Sequence, residues 1–258
     1  MKNNVLFTVT NLNIIDKLKD LGISNFVYPL SFFCVGVPKT FELKEITEDN
    51  AYLFVNRVLD CQSIDRLSEI LHDLPQNIKG IIFDDVGLIE VLKDVSIHKV
   101  LYLSHFNTNY LSINYFWEYV DDIIVSTDIT EEEIDEIISN TSKKVSLFVF
   151  GLVPALYSRR TLISNHAEQF NLEIQNPKCL SIIDKQFITI ENEFGTMMYH
   201  YPYYDGSRLL RKDANYFFYY PILLDDESIL KIAQNNFEGI KTDFGFLDTK
   251  TIYKVKNN

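Results

Sequence analysis

Two adjacent carboxylates, Asp84 and Asp85, form the sharpest chemical pair in this 258-residue chain. Side by side they could hold a cation, or divide the work of acid and base between them. As the end of a strand and the N-cap of the next helix they need no chemistry at all. Other polar side chains also fall where an apolar run gives out: Asn11, Tyr28, Asn56, Arg57, His105, Asn107, Ser126 and Thr127. The five histidines, His72, His98, His105, His166 and His200, show no metal-ligand spacing, and no HExxH, GxSxG, GxxxxGK(S/T) or CxxC motif occurs. Cys34, Cys61 and Cys179 are odd in number and far apart, so they give no disulfide framework and no paired ligand spacing. Cys34 and Cys61 each sit near a strand end, where a reactive thiol could stand, but an isolated cysteine more often packs as a small apolar residue, and Asp60 beside Cys61 disfavours a thiolate. No metal site and no cofactor is expected.

The elements that would position these residues follow an alternating rhythm. Apolar runs at 5–10, 25–30, 51–57, 79–84, 99–103, 122–126 and 144–150 read as strands buried on both faces. Helical spacing or caps separate them at 12–21, 41–47, 63–74, 86–93, 109–119 and 131–139. Parallel neighbours need such crossovers. The first strand ends without the glycine-rich turn of a nucleotide-binding open sheet, so a closed TIM-like (β/α) barrel is the expected fold. In a barrel, strand ends converge on one mouth. At least four of Asn56, Asp84, Asp85, His105, Asn107 and Arg160 should therefore line one pocket.

After Gly151 the rhythm changes. Residues 152–165 read as a loop and a short helix. Residues 180–190 and 196–201 read as a β-hairpin excursion at about 180–201. Residues 229–234 form a last helix, and 239–244 a last strand able to close the barrel. The aromatic runs 199–204 and 216–220 suggest a contact surface, since Tyr is enriched at interfaces, or else barrel-closing core. The whole chain, 1–258, reads as one barrel domain.

Composition narrows the function classes. At 47% hydrophobic residues the chain is not disordered. No apolar run reaches the roughly 18 residues of a membrane span. The start at Met1 shows no cleavage site, and with the cysteine usage this points to the cytoplasm. A net charge of −12 opposes nucleic-acid binding, although Arg159, Arg160 and the cluster Arg208 to Lys212 could form a local basic patch.

Residues 148–165 resemble the signature region of peptidase family U32, the collagenase-like peptidases. Phe148, Gly151, Tyr157, Ser158, Arg160, Ser164 and Asn165 match in order and spacing. Weaker likeness runs through Asn11-Leu12, Phe54-Val55-Asn56, Asp85-Val86-Gly87, residues 103–107, Gly195-Thr196, Asp205 to Leu209 and residues 239–244. The resemblance implies a TIM-like barrel, in agreement with the strand count. In members that hydroxylate transfer RNA, ribosomal RNA or ubiquinone precursors, it also implies four cysteines holding an iron–sulfur cluster.

Here the family's opening glutamate is Ser146, its histidine is Phe150, and its two signature cysteines are Pro154 and Thr161. Downstream only Cys179 remains. Proline and threonine are no substitute for thiolates. No Ser–His–Asp or Cys–His set falls on matching positions, and Ser158 reads as a helix cap. Retained scaffold beside lost ligands points to a cluster-free pseudoenzyme, or to the partner subunit of an active homologous barrel. The alternative is an active hydrolase, or an RNA- or small-molecule-modifying enzyme without a cluster. It would use Asn56, Asp84, Asp85, His105 and Asn107 at the mouth together with Tyr157, Ser158 and Arg160, the arginine binding an anionic group.

Overall fold

The computed structural model of the protein describes residues 2–250, so Met1 and 251–258 of the expected domain lie outside the described residues. The seven apolar runs form β1 (Lys2–Thr8), β2 (Ile23–Pro29), β3 (Ala51–Val55), β4 (Ile78–Phe83), β5 (His98–Leu101), β6 (Asp122–Val125) and β7 (Ser146–Gly151). Each pairs in parallel with its predecessor. The chain then leaves for an antiparallel sheet of β8 (Pro154–Ser158), β9 (Lys178–Ile182), β10 (Lys185–Asn192) and β11 (Gly195–Tyr201). It returns through β12 (Tyr203–Asp205) to β13 (Phe217–Tyr220), which pairs in parallel with both β7 and β1. The result is a closed eight-stranded parallel barrel, a TIM-like α/β fold carrying an antiparallel sheet.

The crossovers are α1 (Ile15–Asp20), α2 (Cys61–His72), α3 (Leu88–Val91), α4 (Tyr110–Phe116) and α5 (Glu131–Asn140); α6 (Leu162–Phe170) and α7 (Asp226–Ala233) follow. Their starts are written in the sequence. Asp60 accepts the Ser63 amide at the head of α2, and Thr130 with Glu133 forms a capping box on α5. Residues 41–47 form only a single 3-10 turn at Leu43–Glu45.

The closing strand is β13, not residues 239–244. Those supply only β14 (Thr242–Asp243), which pairs with β12 outside the barrel. The physical reason is burial on both faces. Phe217, Phe218, Tyr219 and Tyr220 are all buried, whereas 239–244 carry glycine, lysine and aspartate and stay largely exposed. The aromatic runs are accordingly mostly core: Tyr199, Tyr203 and Tyr204 are buried as well, whereas His200, Tyr201, Pro202 and Tyr216 are half-buried. Residues 152–165 contain a strand, β8, as well as the start of α6. The expected hairpin is a four-stranded sheet, because the run 180–190 is broken by a turn where Ile183 adopts φ +55°.

Ring contacts identify the barrel interior. Phe54 on β3 meets Phe218 and Tyr220 on β13, three strands away around the wall. Tyr102, just past β5, meets Phe148 and Phe218. The period of two along a strand then sends Tyr52, Phe54 and Asn56 inward from β3, and Gly80, Ile82 and Asp84 inward from β4. Gly80 lies where an added Cβ would stand 2.5 Å from the Tyr52 ring.

Candidate functional site

The C-terminal strand ends enclose a cavity of about 220 Å3. Phe54, Asn56, Asp84, Tyr102, His105 and Tyr220 line it from the barrel. Pro154, Leu156 and Tyr157 of β8 and Met197 and Tyr199 of β11 cover it. The antiparallel sheet is thus the lid of the mouth. It is fastened to the loop after β2: Tyr199 donates its hydroxyl to the Gly36 carbonyl (2.8 Å), and the Asn192 amide donates to the Cys34 carbonyl (2.9 Å). Gly36, at φ +72°, leaves no room for a side chain, since an added Cβ would lie 2.3 Å from Met197 Cβ.

Of the six expected mouth residues, three line the cavity: Asn56, Asp84 and His105; Tyr157 joins them from the lid. Asn56 lines it with its amide already used. Oδ1 accepts the Val35 amide (2.9 Å) and Nδ2 donates to the Val35 carbonyl (3.0 Å), clamping the same loop that holds the lid. His105 Nδ1 bonds Asp128 Oδ2 at 2.6 Å, and that hydrogen bond raises the imidazole's affinity for its proton. Tyr157 donates to the Phe194 carbonyl at 3.4 Å.

The other candidates are scaffold. Asp85 spends Oδ2 on the Leu59 amide and Oδ1 on the Gly87 amide, so the two adjacent carboxylates do not form an acid–base pair. Asn107 is fully buried, and its amide donates to the Ile124 carbonyl. Ser158 Oγ accepts the Arg160 amide at 3.2 Å, a local turn. Arg160 is exposed, and among the described residues only its backbone is engaged: its amide donates to Ser158 Oγ and its carbonyl accepts the Leu162 amide (3.0 Å). The arginine expected to bind an anionic group at the mouth therefore stands outside the cavity lining.

Asp84 is the anomaly of the site. The residue keeps part of its surface open, but Oδ1 is enclosed and has no hydrogen-bond partner among the described residues. Burial, with the charge of Asp85 added, pushes its carboxyl up to about 7. Tyr102 shares the cavity with its hydroxyl buried and likewise unpartnered.

Sequence reasoning missed Tyr102, Tyr199 and Tyr220, which sit inside apolar runs. The alternation His98, Val100, Tyr102 was the available signal for the first of them. It also missed Glu191, whose carboxylate accepts the Ile163 and Ser164 amides (2.6 and 3.1 Å) and the Ser164 and Thr196 hydroxyls at the head of α6. Burial alone would raise that carboxyl, but the four hydrogen bonds outweigh it and hold it below its ordinary range. Arg57 is a fastener too. It donates to the Phe32 carbonyl (2.7 Å) and to Ser63 Oγ, and stacks against Phe32 and, at 4.0 Å, Phe194 of the lid turn.

The positions that resemble cluster ligands do not fit a cluster. Pro154 lines the mouth, and Thr161 precedes α6. Pro154, Tyr199, Ile188 and Cys179 occupy one row across β8, β11, β10 and β9. At about 4.8 Å per strand, Cys179 therefore stands roughly 14 Å from Pro154. Among the described residues no group of three or more His, Cys, Asp or Glu could hold a metal ion. Ser146, at the position of the family glutamate, lies at the opposite end of the barrel. There it donates to Asp122, whose carboxyl burial pushes up to about 6, and accepts the Tyr216 amide. Phe150 is buried and stacks on Tyr203.

A closed parallel barrel with a lidded, aromatic mouth defines the class of the molecule. The sequence profile of peptidase family U32 matches residues 32–216, more than half of the chain, and this protein belongs to that family. Its structure is similar to one described as the U32 peptidase Mk0906. The two share 14% sequence identity and a TM-score of 0.54, over 84% of this chain and 92% of that one, which is a likeness of fold. No curated protein matches the sequence. Among the described residues no helix is long and apolar enough to cross a membrane.

Proposed function

We propose that this protein is a cluster-free, non-peptidase member of its family that serves as the partner barrel of an active homologue in the cytoplasm. The observation that carries this reading is Pro154. The position resembling a cluster thiolate faces the barrel mouth from the lid strand β8, and there it carries an inert ring. The non-peptidase part is supported by Asp85 and Ser158, whose side chains accept backbone amides instead of forming an acid–base pair or an activated nucleophile at the mouth. The test is co-expression with a homologue from the same genome that keeps all four cysteines. A one-to-one complex whose activity falls when this chain is omitted is expected. A homologue fully active alone and unbound in light scattering would refute the partner role, and stoichiometric iron and sulfide in this chain would refute the cluster-free one.

One observation favours a second reading, a small-molecule enzyme. Asp84 is poised to exchange its proton near neutrality inside a closed site, where a general acid or base works best. Turnover that follows a pH profile centred near 7 and disappears in Asp84→Asn would establish it.

A further inference from the structure

Two buried polar atoms of residues at the mouth, Asp84 Oδ1 and Tyr102 Oη, have no hydrogen-bond partner among the described residues. Buried polar groups are nearly always bonded, so an orphan pair lining one cavity marks the place of a missing partner. Around them stand five aromatic rings, Phe54, Tyr102, Tyr157, Tyr199 and Tyr220. Tyr199 and Tyr220 approach each other at 3.3 Å through their hydroxyls, and Tyr199 also donates to Gly36, which leaves their rings as wall. The charged neighbour that acts on Asp84 is Asp85, a second carboxylate. The cations nearby are committed elsewhere: His105 to Asp128, Arg159 to Asp60, and Arg57 to Phe32 and Ser63.

We propose that this cavity binds a compact organic ammonium ion, with Asp84 as its counter-ion and the rings as an aromatic cage. A carboxylate without a cation repels anions and attracts a positive charge, and an aromatic face adds roughly 0.5–2 kcal/mol for a cation held over it. The same charge would reverse the penalty that burial places on ionised Asp84. The part of Asp84 that is open to the cavity would receive an N–H or O–H of the ligand, while the enclosed Oδ1 and the Tyr102 hydroxyl would feel its charge from behind. The cavity, about 220 Å3, admits a trimethylammonium head with a short tail. The rim formed by Val58, Phe106 and Leu156, all exposed, gives the ligand an apolar entrance. The inference rests on neither reading above: a chain found to carry iron, or to act without a partner, would leave it standing.

The experiment is calorimetric titration at pH 8 with choline and with its uncharged carbon isostere, 3,3-dimethylbutan-1-ol. Choline is expected to bind saturably and at least tenfold more tightly than the isostere. Asp84→Asn, checked for folding by circular dichroism, is expected to lose tenfold or more in choline affinity, and Tyr102→Phe less. In the unaltered protein, carbon NMR should show the Asp84 carboxyl titrating at lower pH once choline is bound. Equal binding of the isostere, an unshifted Asp84 titration, or no saturable binding across methylammonium, tetramethylammonium and choline would overturn the proposal.

Discussion

Replacing Asp84 by Asn should make the protein more stable at pH 8 and change it far less in acid. The folded chain keeps the Asp84 proton up to about pH 7, whereas the ordinary carboxyl value is 3.8. Between those values the folded state binds more protons than the unfolded one, so stability falls as pH rises. The contribution is complete below about pH 3.8 and gone above about pH 7. At about 1.4 kcal/mol per pH unit the whole loss is about 4 kcal/mol. Because one side of the residue opens to the cavity, solvent relaxation reduces this to roughly 2 kcal/mol. Asn has the shape of the neutral acid and carries no such penalty. Asp122, raised in the same sense, titrates in both proteins and cancels in the comparison. Urea unfolding at pH 5 and pH 8 measures the effect. The variant's advantage should grow by about 1–2 kcal/mol between the two. An advantage independent of pH, or a variant weaker at both, would mean that Asp84 is ionised and satisfied in the folded chain, and the argument for an orphaned carboxyl would fail.

Three further outcomes follow from the same geometry. Glu191→Ala should cost about 3 kcal/mol in urea unfolding, because it strips four hydrogen bonds from the head of α6, whereas Glu191→Gln should recover part of the loss. His105→Gln should lower the melting temperature at pH 5.5 and much less at pH 8.5. The Asp128 bond raises the imidazole's proton affinity, so the stabilisation is full below about pH 6.5 and fades as pH rises through the raised value. Arg160→Ala should leave stability within about 0.5 kcal/mol of the original, because the residue is exposed and among the described residues only its backbone is engaged. A melting temperature lowered by several degrees would show that the side chain has a partner.

The chain of residues determined its seven consecutive strands on its own. Runs such as Ala51–Val55 are apolar at every position, as a strand buried on both faces is, and the amphipathic helices between them fix the alternation. Caps such as Thr130 with Glu133 are local chemistry and were equally readable. The signature from Phe148 to Asn165 carried the family, and the loss of its thiolates at Pro154 and Thr161 needed no coordinates. Tertiary structure decided the rest. Residues 217–220 and 239–244 were both short enough to serve as a strand, and the choice lay with the two-sided burial available only between β1 and β7. Asp84 and Asp85 look equivalent in the sequence. The period of two turns one into the barrel and the other towards the amides of Leu59 and Gly87, and only closure shows which side is the inside. Tyr102 and Tyr199 are 97 positions apart. They reach one cavity because the lid sheet folds back over the mouth, a long-range contact that no local pattern encodes.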